Sequence, residues 1–414
     1  MNVLIIASLW PEPTSSAAGR RMIGLLELFI KQDWCLTYAC TAGESEYAHP
    51  LEQMGVSLKK IAINDESFDT FLAEHAPDIV LYDRFMVEEQ FSWRVEKHCP
   101  NALTLLETSD LHCLRHARQL ALKKGRPLVE EDLFDEVAYR EIASIQRTDI
   151  TLIISSFEMN LLKMVFNVDG ALIHYFPFIV NSKEVSDKAN AHPTFEDRKG
   201  FMCIGNFKHA PNWDSVQYLK QSIWPLIREQ LPSAEVCIYG AYVTPKARQL
   251  HKPSEGFYIK GRADDVGDVM SSAKVCLAPL RFGAGLKGKL LDAMECGTPS
   301  VTSSIGDEGM HEDLPWGGIV ADDAETFAAA AVELHEDREK WIQSRQNGDE
   351  ILKQCYSQEK FEPALINKIV NTKKQLISHR QKNIQGSILK YHMMKSTKYM
   401  SLWIEEKNKK ENDV

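Results

Sequence analysis

The sequence predicts an α/β protein of two domains, each a parallel sheet with helices on both faces. Three observations predict it. The chain has 414 residues, too many for one core when domains usually run to roughly 100–200. Its first half alternates short apolar runs with helix-like stretches, the pattern of a parallel sheet. The same alternation resumes after a polar stretch at 181–200.

Val3 to Ala7 is the first strand. Gly19 to Lys31 follows as a helix, with Met22, Ile23, Leu25, Leu26, Leu28, Phe29 and Ile30 forming a mostly buried side. Leu36–Cys40, Ile79–Tyr82, Leu103–Leu106, Thr151–Ile154 and Ala171–Phe176 are further strands, and Glu130–Arg147 reads as one long helix. Residues 181–200, rich in Lys, Asp, Asn and Ser, read as the interdomain linker. Beyond it, Phe201–Ile204, Val236–Tyr239, Phe257–Lys260, Val275–Ala278 and Ser300–Thr302 read as strands. Val216–Gln230, Leu290–Met294 and Ala324–Leu334 read as helical. The expected domains are therefore 1–180 and 181–378, with 379–414 as a tail.

The composition is 44% hydrophobic and 26% charged, ordinary for a globular protein. The net charge of −10 argues against a general nucleic-acid binder. The opening run Met1–Ala7 is short and lacks a preceding Lys or Arg, so it reads as a strand and not as a secretory signal. No apolar stretch reaches the roughly 18 residues a membrane helix needs. The nine cysteines show no Cys-x-x-Cys spacing, which fits reduced, mostly buried thiols better than zinc or disulfides. These features together predict a cytoplasmic protein.

The chemistry concentrates in Ala278–Lys289. Gly283, Gly285 and Gly288 follow an apolar strand and open into the helix of Leu290–Glu295. Glycines let backbone approach an anion, and the free N–H groups of a helix start attract negative charge. Lys287 and Lys289 add two ammonium groups there, which suits a pyrophosphate. Asp292, one turn on, is placed either to accept from both hydroxyls of a ribose or merely to complement the helix dipole.

Residues 205–310 resemble the C-terminal domain of retaining glycosyltransferase family four, of the GT-B fold. The likeness rests on Gly205-Asn206-Phe207, Ala210-Pro211-Asn212, Ile238-Tyr239-Gly240, Gly256 through Arg262, Ala278 through Pro299 and Gly306-Asp307-Glu308-Gly309. The first half resembles the family through Thr108-Ser109-Asp110-Leu111-His112, Ser155-Ser156-Phe157-Glu158 and Pro177, so that the likeness covers about residues 1–375. It implies two Rossmann-like domains facing a central cleft. It also implies that Lys287 and Lys289 contact a donor diphosphate and that Asp292, where the family usually has Glu, binds the ribose. Asn206, Gly283, Gly285 and Leu286 belong to the same donor site, and Arg262 lies near the base and phosphate. Many relatives carry a Glu touching the transferred sugar where this chain has Ala284. His112 with Asp110 matches a histidine near the transferred sugar. In the N-terminal loop, Gly19 and Arg20 or Arg21 are placed to reach phosphate or acceptor. Asp83 and Arg84, after another strand, are candidates for the acceptor side.

The implied reaction is retaining transfer of a sugar from a UDP- or GDP-linked donor to a glycan, lipid-linked or small-molecule acceptor. No Asp-x-Asp motif occurs, so fixed lysines replace a metal, and no cofactor beyond the donor co-substrate is expected. Alternatives are a nucleotide-sugar epimerase on the same fold and a non-catalytic sugar-nucleotide scaffold, the latter motivated by Ala284. The tail combines eight Lys or Arg and four Asp or Glu with Met393, Met394, Tyr399, Met400, Leu402 and Trp403. It reads either as a surface helix, partly ordered, or as an amphipathic segment touching a partner or the inner face of a membrane.

Overall fold

The computed structural model describes residues 1–412 except 44 and 190. The first sheet holds β1 (Asn2–Ala7), β2 (Cys35–Cys40), β3 (Ser57–Lys60), β4 (Ile79–Asp83), β5 (Leu103–Glu107), β6 (Ile150–Ile153) and β7 (Ile173–Tyr175). All its pairings are parallel, in the order β3-β2-β1-β4-β5-β6-β7. The second holds β8 (Lys199–Ile204), β9 (Val236–Tyr239), β10 (Phe257–Gly261), β11 (Ala273–Ala278), β12 (Ser300–Thr302) and β13 (Gly318–Val320). It too is parallel, in the order β10-β9-β8-β11-β12-β13.

Strand order reverses between β1 and β4 in the first sheet and between β8 and β11 in the second. Ligands of open parallel sheets bind in the crevice outside the strand C-termini at such reversals. The loops after these four strands are therefore the ones that matter. Helices on both faces bury the central strands completely: Val3, Leu4, Ile5 and Ile6 are inaccessible, as are Val275, Cys276 and Leu277. The two domains also share an apolar cluster, in which Ile154 and Phe178 of the first meet Leu286, Leu290 and Met310 of the second.

Several elements differ from expectation. The long helix over 130–147 is broken: a 3-10 turn, Glu130–Leu133, precedes a helix at Glu136–Arg147. Asp135 causes the break, because its side chain caps the second helix by accepting from the Ala138 N–H at 2.9 Å. The stretch 181–200 is not simply a linker. It contains the helix Ser182–Ala189, whose Val185 joins the interdomain cluster, and the start of β8. The chain beyond 356 also leaves the second domain. Val180 and Tyr356 run side by side, with Val180 N donating to Tyr356 O at 2.8 Å and Gln358 N to Val180 O at 3.0 Å. The helix Gln358–Lys374 then buries Phe361, Leu365 and Ile369 in the core of the first sheet. Arg380 follows with a fork to Asp149, at 2.8 and 2.7 Å. Finally the helix Ile384–Asn412 lies on the helices Phe85–His98 and Glu136–Arg147 of the first domain. The tail is thus helical from Ile384 to Asn412. Among the described residues no helix is long and apolar enough to cross a membrane.

Because Leu365 is inaccessible within the first domain's core, Leu365→Ala should destabilise that domain by about 2–5 kcal/mol. Chemical unfolding followed by near-UV circular dichroism measures this. A change below about 1 kcal/mol would show that this helix is a dispensable addition.

Candidate active site

The two sheets point their strand C-termini at one cavity of about 830 Å³. Its walls come from segments that follow strands of both sheets, among them Glu12 after β1, Gly43 after β2, Arg84 after β4 and Asp110 after β5, and His209 after β8, Tyr242 after β9, Arg262 after β10 and Lys287 after β11. Two helix N-termini meet there, one from each domain. The helix Ala17–Ile30 begins after Ser16, whose hydroxyl accepts from Gly19 N at 3.1 Å. The helix Gly288–Glu295 begins after Lys287. The two starts are so close that a Cβ on Gly288 would lie 2.7 Å from the Ala17 Cβ. Gly285, at φ +63°, is also needed without a side chain: a Cβ there would stand 2.8 Å from the Asp110 Cβ.

The charged groups divide into those that face the cavity and those that brace it. Lys289 faces it, with Nζ 2.9 Å from Asn212 Oδ1. Arg20 crosses from the first domain to fork between Asp292 and Glu295, the latter at 2.8 Å. Burial pushes the Asp292 carboxyl up to about 6 despite Arg20, and Glu295 adds to the rise. Lys287 is nearly buried and donates to Gly285 O at 2.7 Å, and burial pushes its ammonium down. It therefore braces its own loop while still lining the cavity. Arg21 also lines the cavity but is held from behind, bound to Glu107 Oε1 at 2.6 Å and Pro177 O at 3.0 Å.

On the first-domain wall, Asp110 is paired with Arg115 and lies 3.6 Å from His112 Nε2. Burial alone would raise the Asp110 carboxyl, but Arg115 and His112 outweigh it and hold it below its usual range. His209 lines the cavity from the second domain. Burial pushes both imidazoles down to about 4, helped by Arg115 and Arg84, so two neutral histidines stand at Asp110 near neutral pH. Arg84 holds a left-handed backbone at φ +75° and opens into the cavity. Its nearest carboxylate, Asp83, is 3.8 Å from Nε.

Domain-crossing contacts keep the cleft closed. Arg118 grips Glu308 with two bonds, 2.9 and 2.6 Å, and also donates to Gly283 O at 2.9 Å. Glu158 Oε1 accepts from Leu111 N of its own domain at 2.9 Å and from Gly285 N of the other at 2.7 Å. At the rim, Tyr242 Oη donates to Glu12 at 2.8 Å, and Arg262 donates to Thr14 Oγ1 at 2.9 Å while covering the Tyr47 ring.

Of the residues expected at the site, Asp110, His112, Asn206, Arg262, Gly283, Ala284, Leu286, Lys287, Lys289, Asp292, Arg20 and Arg84 line the cavity. Three do not. Gly19 packs against the Glu12 backbone, Gly285 against Asp110, and Asp83 lies buried beside Arg84. Sequence reasoning missed His209, Arg115, Glu12 and Tyr242, and gave Arg118 and Glu158 no role. His209 was visible as a signal, lying between Asn206-Phe207 and Ala210-Pro211-Asn212. The partnership of Arg118 with Glu308 joins positions 190 residues apart and has no local signature.

Residues 198–337 match the family model described as Glycosyl transferases group 1. That match lies within the second domain and covers about a third of the chain. The fold of that domain, taken with the first, is GT-B. Over 91% of this chain and 100% of the other, the structure is similar to sucrose-phosphate synthase from Thermosynechococcus elongatus, with a TM-score of 0.64 at 15% identity. It is similar to Anabaena HepE in complex with UDP over 92% and 100% of the two chains, with a TM-score of 0.61 at 11% identity. It is also similar to S. aureus TarM, solved with fondaparinux, alpha-GlcNAc-glycerol and UDP, over 89% and 99%, with a TM-score of 0.67 at 9% identity. No curated protein matches the chain by sequence.

The Arg118–Glu308 fork leaves both side chains less than one-sixth exposed. Arg118→Ala strands a nearly buried carboxylate and should cost about 3 kcal/mol or more. Arg118→Met with Glu308→Leu should recover much of the loss. Denaturant unfolding of the single and double variants decides the matter, and equal stability of Arg118→Ala and wild type would remove the fork from the closing contacts.

Proposed function

We propose that the protein transfers a glycosyl group from a nucleoside-diphosphate sugar to an acceptor hydroxyl, with retention and without a metal. The observation that carries this reading is the meeting of two helix N-termini, Lys289 and Arg20 at one end of a cavity formed by the switch-point loops of both sheets. A diphosphate placed there receives free N–H groups from both helix starts and a positive charge from each domain. Asp292 is the ribose ligand. Arg20 pairs with it, so the same guanidinium stands within reach of both ribose and diphosphate.

The transferred sugar then lies toward Asp110, His112 and His209. Ala284 cannot hydrogen-bond it, so these first-domain groups and His209 take over the contacts that a carboxylate at position 284 would make. In the reaction the bond from the anomeric carbon to the β-phosphate oxygen breaks as an oxocarbenium-like centre forms. The bond to the acceptor oxygen forms on the same face, and the acceptor proton passes to the departing phosphate oxygen. Negative charge grows on that phosphate, where Lys289, Arg20 and the helix dipoles are fixed in advance. The bonds at Glu12, Thr14 and Glu308 keep water out of the closed cleft. Arg84, on the first-domain wall, orients the acceptor. UDP is the first base to test, since the HepE and TarM structures contain it.

Ala284 also favours a second reading, a sugar-nucleotide binder without turnover. An epimerase on the same fold is distinguished by converting its donor without any acceptor. Product analysis by mass spectrometry separates all three.

Thermal melting with UDP, GDP, ADP and TDP in EDTA tests the site itself, because a ligand of the folded state raises the melting temperature. One nucleotide should raise it, and Lys289→Ala should remove most of the rise while leaving the ligand-free melting temperature unchanged. No shift with any nucleotide would overturn the donor-site assignment.

A pH dependence follows from Asp292. With its carboxyl raised to about 6, it is an ionised acceptor above that pH and is protonated below. Affinity for a nucleotide sugar, whose diphosphate has no terminal ionisation in this range, should fall as pH drops through about 6. Asp292→Asn should bind more weakly at neutral pH and show no such step. A wild-type affinity that is flat from pH 5 to 8 would separate Asp292 from the ribose.

A further inference from the structure

The last helix, Ile384–Asn412, carries an apolar row that the described residues leave more than half exposed. Its inner side is fixed: Asn383 donates to Gln146 O at 2.7 Å, Lys390 pairs with Glu96 at 3.2 Å, and Ser401 and Glu405 are buried on Arg94. The opposite side presents Ile384, Ile388, Tyr391, Lys395, Tyr399 and Trp403, at spacings of three and four residues. The five apolar members are each between 52% and 64% exposed. Such a spacing places them on one face. At 1.5 Å per residue the row is about 29 Å long. A continuous exposed apolar strip of this size marks an interaction surface.

The charge along the strip identifies the partner. From Gln381 to Ile404 there is no Asp or Glu, and Lys382, Lys395 and Lys398 stand there beside Lys390, whose charge is paired with Glu96 on the inner side. Lys395 stands over the Tyr391 ring at 3.8 Å and Lys398 near the Tyr399 ring at 5.8 Å, which puts ammonium groups at the same level as the aromatic edges. The chain as a whole carries −10, so this cationic strip runs against the general charge. Self-pairing of the strip about a two-fold axis would bring Lys395 close to its own copy, which like charges oppose. Aromatic rings and lysines at one level suit the headgroup region of a bilayer, with aliphatic side chains reaching the acyl boundary.

We propose that this face of the last helix docks the protein on an anionic lipid surface. The helix rides on the first domain, so docking lays that domain on the membrane. The inference is independent of the reaction proposed above.

Flotation of the full chain with phosphatidylcholine vesicles, with and without phosphatidylglycerol, tests it. Binding should require phosphatidylglycerol and fall with salt. Lys395→Glu with Lys398→Glu should reduce partitioning by about tenfold or more. Tyr399→Ser with Trp403→Ser should abolish it at an unchanged melting temperature. Brominated lipid should quench wild-type fluorescence, and a Trp403→Phe variant should lose most of that quenching. No flotation of the wild type would overturn the proposal, as would flotation of the Tyr399→Ser, Trp403→Ser variant at the wild-type level. A wild-type dimer in sedimentation equilibrium that this variant dissolves would assign the strip to a second copy instead and also overturn it.

Discussion

The architecture depends on two helix starts held closer than their charges alone would allow. Each N-terminus carries roughly half a positive charge, and Gly288 lets one come within van der Waals distance of Ala17 at the other. Arg20 and Lys289 add to the same sign. Internal counter-charges face these groups: Asp292 and Glu295 hold Arg20, and Asp110 holds Arg115. The raised Asp292 carboxyl records the cost of burying that counter-charge. The positive groups of the cleft are thus balanced by carboxylates that are themselves largely shielded from water.

The sheets and the turn at 283–289 were legible in the sequence because their signals are local. β9 and β12 fall where their apolar runs place them, and the glycine-lysine loop does open into the helix at Gly288. β3 gave no such signal: Ser57, Leu58, Lys59 and Lys60 are all exposed on a sheet edge, where no buried face imposes alternation. The helix over 130–147 was misjudged because a capping aspartate inside a helical pattern looks like any polar residue until its partner N–H is seen. In the site, residue types were readable but their commitments were not. Arg20 and Arg21 are adjacent and chemically identical, yet one faces the cleft and the other is locked to Glu107. Which one does which depends on strand β5, some eighty residues away.

The second-domain boundary at 378 reflects the same limit. Nothing in the composition of 357–378 distinguishes a helix that stays from one that crosses back, because Phe361, Leu365 and Ile369 would suit either core. Crossing places the end of the chain on the first domain, and so gives that domain two layers that the second lacks. The strip from Ile384 to Trp403 owes its orientation to this return, since Arg94 and Glu96 fix the inner side of the helix.

The return also leaves the domains joined by two strands of chain lying against each other, Val180 bonded to Tyr356 and Gln358. A single connection would permit twisting and swinging in any direction. A paired one resists twist and leaves chiefly one soft axis, as a door hangs on its jamb. Residues beside that axis barely move when the domains part, while those at the far rim sweep the widest arc. The apolar contacts around Phe178 and Leu290 share one cluster with Val180 and Tyr356 and so lie beside that axis, whereas the bond between Glu12 and Tyr242 lies outside that cluster.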